Sequence, residues 1–234
     1  MDLRGNSATW VGHGTWLWES SEGKRLLVDA WLAGCPTVPE EWHDPGHLDT
    51  LLLTHGHADH IGDAVSTIKD KTPQVVTTYD MLGWLASHDC VDDAVGMNMG
   101  GTVETAGVRA TQLYARHSNG IDDPNYHGPS GDATGFLLEF PDGLRVYQSG
   151  DTDVFGDMAL IREMYEPHVA VLSIGDLFTM GPRGAAKAVE LLGVKAVLCG
   201  HWGTFPPLIG RPSELRALVP GDVEVPDLEP GDRF

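Results

Sequence analysis

Leu51-Leu52-Leu53-Thr54-His55-Gly56-His57-Ala58-Asp59-His60 decides how this chain is read. An apolar run of strand-forming length meets three histidines and an aspartate. Thr50 to Thr54 reads as a buried strand, and Ala58 to Lys69 carries a helical pattern behind it. His55 and His57 are two apart, so an extended or tightly turned segment projects both to one side. Gly56 between them permits a backbone turn that a larger residue resists. Asp59 and His60 fall where the helix begins, and a carboxylate there complements the helix N-terminus. Capping and turn lining are the plain alternative for such residues. Three imidazoles and a carboxylate packed this closely point instead to a metal ion. The donor set suits zinc first, and also manganese, nickel or iron.

Three further strand-prone runs end in the same way. Leu113 to Arg116 leads to His117, Val146 to Gly150 leads to Asp151, and Val197 to Gly200 leads to His201. Each is weak alone: a single His after a strand more often makes a loop hydrogen bond, and an Asp in Ser-Gly-Asp-Thr often caps a turn. A strand end is a rigid mount, and four of them can converge on one cleft. The candidate ligands are then His55, His57, Asp59, His60, His117, Asp151 and His201. They exceed one tetrahedral ion and match two ions sharing a bridging group.

The remaining sequence sets bounds. Its 234 residues suit one domain spanning 1–234. Hydrophobic residues at 41% and charged residues at 21% are enough for a packed core and exclude a disordered chain. No apolar run spans a bilayer, and Met1 to Ser7 is polar, so neither a membrane segment nor a secretory signal is expected. Cys35, Cys90 and Cys199 lack C-x-x-C spacing and read as reduced thiols of a cytoplasmic protein. A net charge of −19 argues against nucleic acid or an anionic membrane as partner. A small-molecule substrate is expected, and a homo-oligomer is left open.

Strands are expected at Arg25 to Leu32, Gln74 to Thr78, Val108 to Ala115, Gly135 to Phe140, Leu144 to Gln148, Val169 to Ile174 and Ala196 to Cys199. Helices are expected at Met81 to Ser87, Asp157 to Tyr165, Pro182 to Leu192 and Pro212 to Leu218, two of them with Pro at the first position. Pro141-Asp142-Gly143 reads as a hairpin turn. Arg116 to Thr134 reads as a long functional loop. Pro220 to Phe234 reads as a surface-hugging tail. The result is a mixed α/β chain.

The His55–His60 run, followed in order by His117, Asp151 and His201, resembles the metallo-β-lactamase superfamily. Val11-Gly12-His13-Gly14-Thr15, Leu27-Val28-Asp29-Ala30, Phe178-Thr179-Met180-Gly181-Pro182 and His201-Trp202-Gly203-Thr204-Phe205-Pro206 extend the likeness to nearly the whole chain. They resemble its group of bacterial metal-dependent hydrolases related to the ascorbate-6-phosphate lactonase branch. The resemblance implies a four-layer αββα sandwich, two mixed sheets with helices outside and metals at one edge. It implies two divalent ions. His55, His57 and His117 would hold one, Asp59, His60 and His201 the other, and Asp151 would bridge. Asp59 also matches the position that orients the attacking water. His57 stands where a redox branch has Glu, which favours hydrolysis.

The expected reaction is attack of a metal-bridging hydroxide on an ester, lactone or phosphodiester of a small molecule. His13 is a candidate catalytic residue, as an oxyanion contact or as a donor behind the ligands, with a hydrogen-bonded strand-end histidine as the equal alternative. Asp29 and Asp176 are expected to orient ligand histidines, with turn capping as the alternative. The tryptophans at 16, 18 and 31 are expected to pack the core, with a substrate-facing wall as the sharper alternative. Two other functional readings are a metal-bound regulatory or binding protein without turnover, and a nuclease of the same superfamily.

Overall fold

The computed structural model describes residues Met1 to Phe234. Twelve strands form two six-stranded sheets. The first sheet contains β1 (Ser7–Gly12), β2 (Thr15–Glu19), β3 (Arg25–Val28), β4 (Thr50–Leu52), β5 (Gln74–Thr78) and β6 (Ala94–Met97), in that spatial order. The second contains β7 (Thr102–Thr105), β8 (Val108–Tyr114), β9 (Thr134–Glu139), β10 (Arg145–Gln148), β11 (Val169–Ser173) and β12 (Ala196–Gly200), again in sequence order across the sheet. Both begin antiparallel and end parallel, so both are mixed. The helices are α1 (Ala58–Ile61), α2 (Ala64–Lys71), α3 (Leu82–Ser87), α4 (Met158–Tyr165), α5 (Pro182–Leu192) and α6 (Pro212–Leu218).

Alternation along the strands builds the layers. In β4, Leu52 joins the core between the sheets while Leu51 faces the layer that holds Ile68 and Leu85 of α2 and α3. In β10, Val146 faces between the sheets and Tyr147 faces Met158, Ala185 and Leu215 of α4 to α6. Both faces of each sheet are therefore covered, which is why these strands are near-continuous apolar runs. This is the expected αββα sandwich. Trp10, Trp16 and Trp18 are buried in the inter-sheet layer, so the packing expected of Trp16 and Trp18 holds.

Two expected features differ. The helix expected over Ala58 to Lys69 breaks at Gly62-Asp63. Asp63 leaves the helical path because its carboxylate accepts the Leu32 and Gly34 amides at 2.6 and 3.2 Å. The tail is more than a surface strap. Its last residues exchange backbone hydrogen bonds with Ala8 and Trp10 on the β1 edge, and Glu224 pairs with β12. It thus covers an open edge of each sheet, where unpaired amides would otherwise invite association. No helix is long and apolar enough to cross a membrane.

Candidate metal centre

The loops after β4, β8, β10 and β12 and the β1–β2 turn meet at one edge of the sandwich. They bring together three groups of side chains: His55, His57 and His117; His13, Asp59, His60 and His201; and His55, His60 and Asp151. All seven candidate ligands and His13 are included. His55 Nε2 lies 3.0 Å from His57 Nδ1. A single oxygen, Asp151 Oδ2, lies 2.9 Å from His201 Nε2, 3.2 Å from His60 Nε2 and 3.8 Å from His117 Nε2. The other oxygen, Oδ1, lies 3.0 Å from Ser173 Oγ, which fixes the carboxylate.

The tautomers follow from the groups behind. Asp29 accepts from His60 Nδ1 at 2.7 Å and from Thr54 Oγ1 at 2.8 Å. Thr54 Oγ1 in turn lies 2.9 Å from His55 Nδ1. One carboxylate therefore holds the Nδ1 proton on both histidines, directly and through a hydroxyl, and turns both Nε2 lone pairs inward. Asp29 acts as expected. Asp176 does not: its carboxylate lies against Gly181, and it bonds none of the histidines. Sequence reasoning misses Thr54, although a hydroxyl next to His55 is the available signal.

The buried His60 Nε2 and His201 Nε2 have no hydrogen-bond partner. Orphaned imidazole nitrogens facing a shared carboxylate are costly unless a cation completes them, so the residues fit a metal. The electrostatics agree. Burial opposes charge on His60, yet the Asp151 and Asp29 carboxylates override it and hold its pKa well above the ordinary value. Burial likewise opposes charge on His201, and Asp151 pushes it up to about 9. Burial and the neighbouring His60 hold His55 well below the ordinary value. Burial works against ionisation of Asp151, but His201 and His60 hold its carboxyl well below the usual range.

His13 lies inside this cluster. Its ring is fully buried, with Nε2 3.0 Å from Asp59 Oδ2 and its centroid 3.9 Å from that of His201. Burial, with His201 alongside, lowers its pKa to about 4. Asp59 retains 29% side-chain exposure and forms the open side of the group. Trp31 and Phe205, both half-buried, flank His13 with centroid separations of 5.1 and 5.7 Å. His13, Asp29 and His201 all take left-handed backbone, with φ of 49°, 58° and 56°. Strain of about 1–3 kcal/mol per residue is retained where surrounding contacts over-determine the backbone, and it concentrates at functional sites.

The loop expected over Arg116 to Thr134 lies across the β4–α1 segment. Asn119 Oδ1 accepts the Gly56 amide at 2.8 Å, and Asp122 Oδ2 accepts the Ala58 amide at 3.0 Å. The reason for Gly56 differs from the expected turn. Its backbone is not left-handed, but a Cβ there would stand 2.7 Å from Gly120 O. His88 and Trp84 tie the loop down through Asp123, at 2.6 and 3.0 Å. His127 stays exposed in the loop.

A two-sheet sandwich with a His/Asp cluster at one edge defines the class as a metallo-β-lactamase-type hydrolase. The family model for the Beta-lactamase superfamily domain matches residues 24–202. A UPF0173 metal-dependent hydrolase from Koribacter versatilis is 42% identical over 100% of both chains. One from Herpetosiphon aurantiacus is 42% identical over 92% of this chain and 90% of its own. Among solved structures, Igni18, a metallo hydrolase from the archaeon Ignicoccus hospitalis, superposes with a TM-score of 0.86 at 30% identity, covering 98% and 97% of the two chains. The chain belongs to the UPF0173 metal-dependent hydrolases of the metallo-β-lactamase superfamily.

Proposed function

We propose that residues 1–234 work as one dinuclear metallohydrolase domain acting on a small molecule, with carboxyl esters and lactones the first substrate class and phosphodiesters the second. The observation that carries this reading is Asp151 Oδ2, within 3.8 Å of histidine nitrogens from both groups, His117 on one side and His60 and His201 on the other. His55, His57 and His117 would hold one ion, Asp59, His60 and His201 the other, with Asp151 shared. The ions, zinc first with manganese, nickel or iron as alternatives, would supply an activated water and an electrophile for the attacked oxygen.

The side chains do the rest. Asp59 is exposed enough to meet a bound molecule, and its Oδ1 accepts no hydrogen bond from the protein. It can therefore hold a proton during attack and return it to the leaving oxygen. His13 acts through Asp59, because its ring has no exposed surface. Trp31 and Phe205 form a wall that keeps bulk water from that flank. The −19 net charge supports a small substrate over nucleic acid.

Elemental analysis of wild type and Asp151→Ala tests the reading, alongside turnover of p-nitrophenyl acetate and bis(p-nitrophenyl) phosphate. Two equivalents of metal per chain, falling in the variant with loss of turnover, are expected. One equivalent or fewer, unchanged by the substitution, removes Asp151 from the ligand set and the dinuclear mechanism with it.

A further inference from the structure

Three segments distant in sequence form one hydrogen-bonded chain: Thr204 Oγ1 lies 2.9 Å from His13 Nδ1, and His13 Nε2 lies 3.0 Å from Asp59 Oδ2. We propose that Thr204 is a positioning residue for the reaction, holding the ring orientation of His13 so that His13 Nε2–H stays on the Asp59 carboxylate. The proposal rests on the reading of Asp59 as the proton-handling residue.

The donor arithmetic gives the direction. A carboxylate only accepts, so His13 must carry its proton on Nε2. Nδ1 is then left to the Thr204 hydroxyl, 2.9 Å away. The other tautomer, with the proton on Nδ1, sets two lone pairs facing each other at Asp59, so the Asp59 carboxylate itself excludes it. A ring flipped about its Cβ–Cγ bond presents carbon to both partners. Thr204 excludes the flipped ring, because that arrangement forfeits the hydroxyl's bond to Nδ1 beside a fully buried ring.

The backbone is built to bring Thr204 there. His13 O accepts the His201 amide at 2.8 Å and the Trp10 indole N–H at 2.9 Å, so the β1–β2 turn and the loop after β12 move as one unit. Gly203, at φ 73°, turns the chain back, and its amide bonds Leu208 O at 3.0 Å. Gly14 leaves room on the other side, where a Cβ would stand 2.6 Å from His60 Cε1. Removing groups that orient a metal site from behind typically costs 10–100-fold.

The test uses the full-length zinc-loaded protein and the variants Thr204→Val and Thr204→Ser. Valine keeps the shape and loses the hydroxyl; serine keeps the hydroxyl. Long-range proton–nitrogen NMR of the histidine rings reads the His13 tautomer independently of turnover. The wild type is expected to show one His13 ring environment with Nε2–H, and Thr204→Val to show a second environment from the flipped ring. With p-nitrophenyl acetate as probe, kcat is expected to fall about 10-fold or more in Thr204→Val at unchanged KM, and to recover in Thr204→Ser. A valine variant with a single wild-type ring environment and wild-type kcat overturns the proposal, as does equal loss in both variants. A wild-type spectrum with Nδ1–H and a zinc-bound Nε2 overturns it in favour of His13 as an eighth ligand. Failure of the wild type to turn over either probe strikes the hydrolytic reading of Asp59, and the NMR arm still decides the Thr204 contact.

Discussion

Asp29 Oδ2 sits 2.7 Å from His60 Nδ1, with both side chains fully buried. A carboxylate in that place can only accept, so it commits the His60 lone pair to Nε2, on the side of Asp151. Asp29→Asn sets an amide there that can donate to Nδ1 and release the tautomer. Zinc affinity, read by chelator competition, is expected to fall about 10–100-fold. Unchanged affinity would show that Asp29 has no hold on the site.

Gly56 lies under the Arg116–Thr134 loop with no space for a side chain. An added Cβ would stand 2.7 Å from both Gly120 O and Ile121 Cγ1. The backbone carbonyl cannot swing aside as a side-chain tip would, so the loop must lift and strain the Asp122 amide bond to Gly56 O, now 2.9 Å. Gly56→Ala is expected to destabilise the fold by about 1–3 kcal/mol in urea denaturation.

His168 gives the fold a pH dependence away from the metal centre. Its Nδ1 accepts the Arg145 amide at 3.0 Å, and the Arg4 and Arg145 guanidinium nitrogens each lie 3.4 Å from Nε2. Burial first, then the two arginines, hold its pKa below the ordinary 6.5. Above that value neither folded nor unfolded His168 is charged, and it adds no pH dependence. As pH falls below 6.5 the unfolded chain takes up a proton that the folded chain refuses, so stability falls until the folded pKa is passed. His168→Asn keeps an acceptor for the Arg145 amide and cannot titrate. Between pH 7.5 and 5.5, as chosen for denaturation curves, it is expected to lose less stability than the wild type.

The C-terminal residues close the β1 edge with hydrogen bonds between Ala8 and Phe234, from the Trp10 amide to Asp232 O, and from the Gly231 amide to Trp10 O. Deleting Pro230 to Phe234 frees that edge. A stability loss of roughly 2–4 kcal/mol is expected from the bonds removed. Concentration-dependent association in light scattering should accompany it. A monodisperse truncated protein of wild-type stability would show that the edge needs no cover.

Local chemistry made much of this legible. Gln74–Thr78, Pro182–Leu192 and Pro212–Leu218 have the bounds expected, because β-branched runs and Pro at a first helical turn act on the backbone within a few residues. The hairpin at Pro141-Asp142-Gly143 follows in the same way, with Gly143 at φ 81°. Thr15–Glu19 and the bounds of Ser7–Gly12 were not legible. Their tryptophans are buried with both strand faces covered, so no alternation marks them. The helix break at Gly62-Asp63 depends on amides at Leu32 and Gly34, which the local pattern cannot register.

The sequence by itself determined the chemistry available: imidazoles and carboxylates at the ends of apolar runs, in a chain apolar enough to hold them rigidly. Only the tertiary structure decided which of them meet. It brought His13 to Asp59 and to Thr204, 191 positions away, and left Asp176 at the start of α5. It made Asp29 the orienting group for two histidines, and Gly56 a matter of space rather than of turn geometry. The physical reason is range. Side-chain periodicity and turn preference act over a few residues, whereas contact between strand ends is fixed by burying both faces of two sheets against each other and against the helices outside them.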